Sequence, residues 1–196
     1  MFERERLEPM SIEYFLAWDS HDDFKYELIA GLPVLKHREP QSLGRATTEH
    51  QLLVTAMLRL LFPRVPASCR ILTDMLVRAP RANAYYLPDI TVTCDERDLA
   101  VSGMGFYEHP LLVIEVLSAS TAQYDLTDKL DAYVALGAEY LVVDSNRRYL
   151  RVARAMRDDR NDLGSFNQIV VDGALMLHSI DLTIDVGLLY GGILPD

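Results

Sequence analysis

The chain has 196 residues, with 29 acidic against 19 basic side chains and a formal net charge of −10. That length supports one domain with a sizeable core, and the acidic balance argues against a protein that coats nucleic acid through bulk electrostatics. Cys69 and Cys94 make neither a disulfide framework nor a CxxC zinc pair, MFERERLEPM lacks the apolar core of a secretory signal, and no apolar run reaches the ~18 residues of a membrane helix, so a cytoplasmic protein with no membrane partner is expected.

SIEYFLAWDS predicts a short helix capped by Ser11, with Phe15 and Trp18 facing inward. FKYELIAGLPVLK predicts a hairpin: a strand from Lys25 to Ile29, a turn near Gly31 and a return strand through Val34. By the period of two, Lys25, Glu27 and Ile29 share one face. TTEHQLLVTAMLRLLF carries Leu53, Val54, Met57, Leu60 and Leu61 at helical spacing, begins at a Thr47 or Thr48 cap and ends before Pro63. His50 lies beside that buried stripe. Strands are expected over roughly Arg70 to Val77, Asp89 to Cys94 and Leu111 to Leu117, with Glu96, Arg97 and Asp98 in a loop between the last two.

TAQYDLTDKLDAYVALG reads as an amphipathic helix closed by Gly137, and EYLVVDS as another strand. Strand, helix and strand have the spacing of a crossover unit, whose strands are usually parallel. YLRVARAM and NQIVVDGALM follow as strand-like runs around a polar turn with Asp158, Asp159, Asn161 and Gly164. A short helix or turn around Val186 to Tyr190 completes the chain. The fold class is α/β with a mixed, α+β type of sheet and helices packed against it, in one domain over residues 1–196.

The chemistry centres on two acids. Asp89 stands at a strand start in LPDIT, and Glu115 interrupts the apolar run LLVIEVLS. A buried carboxylate costs several kcal/mol, roughly, unless it is paired. Two of them on adjacent strands suggest a divalent cation with hard oxygen ligands, magnesium or manganese. Against this stands an ordinary salt bridge or solvated acid at each position. Glu27 and Asp74 are further acids for the wall of a cleft, and the ordinary reading weighs more heavily for them.

Asp125, Lys129 and Tyr133 follow at i, i+4 steps, so they share a helix face. Lys129 there can orient a water and stabilise charge on a phosphate, although by itself the spacing reads as a surface Asp–Lys pair. His50 is either a satisfied core histidine or a hydrogen-bond support for a ligating acid. Ser118, Ser120 and Thr121 lack the nucleophile elbow of a serine hydrolase and read as capping hydroxyls. Gly103 and Gly105 lack the context of a dinucleotide site.

Taken together, FKYELIAG, TTEHQLLVTAMLRLL, LPDITVTCD and PLLVIEVLSASTAQYDLTDKLDAYVALGAEYLVVD resemble a large bacterial family, abundant in cyanobacteria, of putative restriction endonucleases in the PD-(D/E)XK nuclease superfamily. The resemblance implies a restriction endonuclease-like core with flanking helices and extra β-hairpins. It places the superfamily's first acid on Asp89 and its second on Glu115. The usual lysine two residues later is Leu117 here, and the resemblance moves that role to Lys129. Glu27 matches the acid near the N-terminus, and His50 the histidine that starts the long helix.

The activity so implied is Mg2+- or Mn2+-dependent endonuclease cleavage of DNA. Asp89 and Glu115 hold the metal, Glu27 assists it, and Lys129 positions the water, with His50, Asp125 and Tyr133 in support. A homodimer suits two cuts on a duplex. The rival reading is a nuclease-fold binding or regulatory protein that cleaves little, and a third is an enzyme acting on something other than duplex DNA. The acidic charge favours the rival, and Arg70, Arg78, Arg81, Arg147 and Arg148 are only scattered candidates for a groove.

Overall fold

The computed structural model describes residues 9–21, 24–36, 47–101, 105–117, 125–157 and 163–194. Helix α1 (Ile12–Ala17) starts where the Ser11 side chain accepts from the Tyr14 N–H. Strands β1 (Tyr26–Ile29) and β2 (Leu32–Leu35) form an antiparallel hairpin. Its two turn residues, Ala30 and Gly31, both have positive φ, the geometry that matches the twist of paired strands. Helix α2 (Thr48–Leu61) is capped by Thr47, which accepts from the His50 N–H, and buries His50, Leu53, Met57 and Leu61 along one face.

The region expected as one strand from Arg70 to Val77 is two, β3 (Arg70–Leu72) and β4 (Val77–Ala79), and they belong to different sheets. Asp74 lies in the turn between them at φ 52° and is not in a strand. After a 3-10 turn at Pro80–Ala82 come β5 (Ala84–Tyr86), which the sequence pattern did not separate, and β6 (Ile90–Thr93). Glu96–Leu99 forms a short helix, α3, in place of the expected loop, because the Asp95 side chain caps it.

Strand β7 (Leu112–Leu117), helix α4 (Asp128–Ala135) and β8 (Glu139–Asp144) complete the crossover, with β7 and β8 parallel as expected. The chain turns after α4 at Gly137, whose φ of 84° is readily open only to glycine. The long antiparallel pair β9 (Leu150–Arg157) and β10 (Leu163–Val170) follows. Gly164 is part of β10, and the rest of the expected polar turn, with Asp158, Asp159 and Asn161, lies outside the described residues. The chain then makes β11 (Ala174–Leu177), β12 (Leu182–Asp185) and α5 (Val186–Tyr190). Gly103, Ser118, Ser120 and Thr121 also lie outside the described residues.

The main sheet has the order β10-β9-β8-β7-β6-β3, and a smaller one the order β2-β1-β5-β4. Alternation along β7 divides the core. Leu112, Ile114 and Val116 pack with Leu53 and Met57 of α2 and with Leu175 and Ile184 of the β11–β12 hairpin. Val113 and Leu117 point the other way, toward Leu130 and Tyr133 of α4 and Ile29 and Tyr86 of the smaller sheet. Glu115, between Val113 and Leu117, shares this second face. Among the described residues, no helix is long and apolar enough to cross a membrane.

Cys69 and Cys94, two cysteines that by themselves suggest no disulfide framework, are joined in a bridge across a sequence separation of 25. They flank β3 and β6, whose antiparallel register pairs Arg70 with Thr93 and so brings the two cysteines opposite each other. Closing a loop of that length stabilises a fold by about 3 kcal/mol through the unfolded chain. Reduction should lower the free energy of urea unfolding by that order, and an unchanged value would contradict the bridge.

A buried cluster of carboxylates and ammoniums

The antiparallel register of β6 and β7 pairs Ile90 with Ile114. Asp89 stands in the bend that leads into β6, so this register brings it alongside Glu115 of β7. The Val116 N–H donates to Asp89 Oδ2 at 2.8 Å, which ties the two strands at this point. On β1, Glu27 shares the face of Ile29 and accepts from the Leu87 N–H at 2.8 Å.

Helix α4 supplies the cation that joins these elements. Lys129 is 1 % exposed, and its Nζ lies 2.9 Å from Glu27 Oε1, 2.9 Å from Glu115 Oε1 and 2.8 Å from Asp125 Oδ1. The i, i+4 pair that reads as a surface contact is therefore wholly internal. The Tyr86 ring stands 5.8 Å from the same ammonium, within cation–π reach. Tyr133 packs at a tilt against both Tyr86 and Tyr140, and the Tyr140 hydroxyl donates to the Asp125 carbonyl, fixing the entry to the helix. The Tyr133 hydroxyl is fully buried and has no hydrogen-bond partner among the described residues.

Asp89 has its own partners. His50, at the start of α2, brings Nε2 to 3.2 Å from Asp89 Oδ2. Lys36 brings Nζ to 2.9 Å from Asp89 Oδ1 and donates to the Leu87 carbonyl. Burial alone would raise the Asp89 carboxyl, but the Lys36 ammonium, His50 and the Val116 N–H together hold it well below the ordinary carboxylate range. Glu115 goes the other way: burial, with Asp125 and Asp89 nearby, pushes it well up despite Lys129 and Lys36. Burial also works against the Lys129 charge, but Asp125, Glu115 and Glu27 outweigh it and hold the amine well above its ordinary value. Tyr86 is pushed up to about 12, first by burial.

The fold thus brings Glu27, His50, Asp89, Glu115, Asp125, Lys129 and Tyr133 into one buried region. The residue that sequence reasoning missed is Lys36. It follows a strand end, where a lysine is ordinarily solvated, and only the hairpin's docking beside Leu87 draws it inward. Asp74 stands at the margin, 2.7 Å from Lys25 Nζ and 3.6 Å from Lys36 Nζ. Two of the candidate groove arginines are paired elsewhere: Arg78 with Glu108 and Arg147 with Asp144. Arg81 lines a cleft of about 660 Å3 beyond Tyr86, where Glu108, Asp128 and Asp131 keep the wall acidic.

In charge terms, four carboxylates share two ammoniums. Among the described residues, no three His, Cys, Asp or Glu side chains are placed to hold a metal ion together. Two carboxylates on neighbouring strands are nevertheless a donor set that suits magnesium, which keeps several waters and uses one or two protein carboxylates.

A family model described as Uma2, putative restriction endonuclease, matches residues 12–178. An uncharacterized protein of Synechocystis sp. is 28% identical over 188 residues, covering 94% of this chain and 93% of that protein. A crystal structure of a putative nuclease belonging to DUF820 from Anabaena variabilis superposes with a TM-score of 0.72 at 17% identity, over 95% of this chain and 100% of the other. That likeness establishes the fold: a mixed sheet flanked by helices and extra hairpins around a restriction endonuclease-like core.

A carboxyl raised in the folded state binds its proton more tightly there than in the unfolded chain. It therefore opposes folding increasingly as pH rises above the ordinary 4.5. Without added metal, Glu115→Gln should exceed the parent in urea-unfolding free energy at about pH 7.5 and match it near about pH 4. A variant less stable than the parent at the higher pH would contradict this assignment.

Proposed function

The chain belongs to the Uma2 family of putative restriction endonucleases, and from that premise we propose that it is a metal-dependent endonuclease hydrolysing DNA phosphodiester bonds. The observation that carries this reading is the meeting of Asp89, Glu115 and Lys129 in one buried cluster with more carboxylate than ammonium charge. Asp89 and Glu115 would hold Mg2+ or Mn2+, which polarises a phosphate and acidifies a bound water.

The chain's own residues set the frame for that chemistry. Lys129, fixed by Asp125 and Glu27, is the amine that would orient the attacking water and offset charge on the phosphate. Its position on the following helix stands in for the lysine that Leu117 replaces. Glu27 joins the Leu87 backbone to that amine, so the small sheet is registered against the site. His50 and the Val116 N–H orient Asp89. Tyr133 walls the amine through its ring. A two-fold homodimer belongs to the same reading, since two such sites suit the two strands of a duplex.

A second reading, a nuclease-fold binding or regulatory protein with little cleavage, draws on the depth of the cluster. Glu27, Glu115, Asp125 and Lys129 are almost wholly shielded from solvent, and Arg78 and Arg147 are paired with acids. Incubation with plasmid DNA separates the two. Cleavage should need Mg2+ or Mn2+, and Asp89→Ala or Glu115→Ala should reduce it at least about 100-fold, the response to several kcal/mol of lost stabilisation. DNA or protein binding that is indifferent to metal, with no cleavage, would favour the second reading.

A further inference from the structure

Lys36 has no part in the chemistry above, yet it is 3 % exposed and in contact with one of its two central acids. Its ammonium stands between two carboxylates of different character. Asp89 Oδ1, at 2.9 Å, belongs to the buried cluster. Asp74 Oδ1, at 3.6 Å, belongs to a residue 41 % exposed, whose other oxygen is held by Lys25 at 2.7 Å. The Leu87 carbonyl accepts from the same ammonium, so the charge keeps a partner on either side.

The oxygens of Asp89 are divided in a way that matters. Oδ2 is taken by the Val116 N–H and His50, while Oδ1 faces Lys36. A metal ion on Asp89 would use the oxygen that the ammonium now holds. Two cations at contact distance from one oxygen repel strongly in a buried setting, so one must yield. Asp74 offers the ammonium a second seat within reach.

We propose that Lys36 is a resident counter-ion of the site, which a divalent cation displaces from Asp89 onto Asp74. The inference rests on the reading that Asp89 and Glu115 hold the cation. Lys36 is then a positioning residue: it holds the Asp89 carboxylate in place while no metal is bound. It also lowers apparent metal affinity by the fraction of time that it occupies Oδ1.

Calorimetric titration with MnCl2 tests this on the parent, Lys36→Met, Asp74→Asn, the double variant, and Asp89→Asn. Lys36→Met should bind Mn2+ about tenfold more tightly, as expected when an occupant present about nine-tenths of the time is removed. Asp74→Asn should weaken binding several-fold while Lys36 is present and have no effect in the Lys36→Met background. Asp89→Asn should abolish binding.

Unchanged or weaker binding by Lys36→Met would overturn the proposal. An Asp74→Asn effect of equal size in both backgrounds would also overturn it, since a general field, not an exchange of partners, would then be acting. Should Lys36→Met fail to fold, the half-exposed Asp74→Asn decides alone, and unchanged affinity there overturns the proposal. Binding by the parent that depends on Asp89 but is not strengthened in Lys36→Met defeats the exchange while sparing the metal reading. Absence of any Asp89-dependent Mn2+ binding defeats both.

Discussion

One ammonium, buried with three carboxylates, sets the geometry of this face of the molecule. Lys129 on α4 contacts Glu27 from the small sheet, Glu115 from the main sheet and Asp125 from the segment that leads into its helix. Isolated, each of these charges would be costly to remove from water, by several kcal/mol after relaxation. Together they compensate one another, but only while both sheets and the helix keep their places. The ion cluster thus fixes the acids relative to each other, because loss of any one partner would leave a buried charge unpaired.

The surroundings strengthen that constraint. Tyr86, Tyr133 and Tyr140 form an aromatic collar that keeps water from the ammonium and holds the local dielectric low. Under these conditions, an excess of carboxylate over ammonium has strong electrostatic consequences. They show as a divergence between neighbours: Asp89, with Lys36, His50 and a backbone N–H, is held ionised, while Glu115 is pushed toward its protonated form. Neighbouring carboxyls driven apart in this way are a common mark of functional sites.

Much of this was legible in the sequence because it is local. A period of two puts Glu27 on the face of Ile29, and a period of 3.6 aligns Asp125, Lys129 and Tyr133. An acid inside LLVIEVL demands a partner whatever the fold. The crossover from β7 to β8 and a cap at Thr47 or Thr48 were readable for the same reason, and the structure uses Thr47. What escaped depends on contacts between distant segments. Lys36 carries no sign that its hairpin will dock beside Leu87. The Cys69–Cys94 bridge follows from β3 pairing with β6, and the chain between them passes through the other sheet. The split of the 70–77 region at Asp74 turns on a left-handed residue that is not glycine, which composition does not advertise.

The Uma2 family model runs across α1, the hairpin, α2 and the crossover, so the elements that supply the cluster all fall within the matched span. The claim on which the functional account depends is that Asp89 and Glu115 converge on one divalent ion beside Lys129. Anomalous diffraction from crystals grown with MnCl2 addresses it without reference to activity. The account predicts a manganese peak about 2.1–2.2 Å from a carboxylate oxygen of each acid. Crystals saturated with Mn2+ that show no peak there, with Lys36 still seated on Asp89, would contradict it.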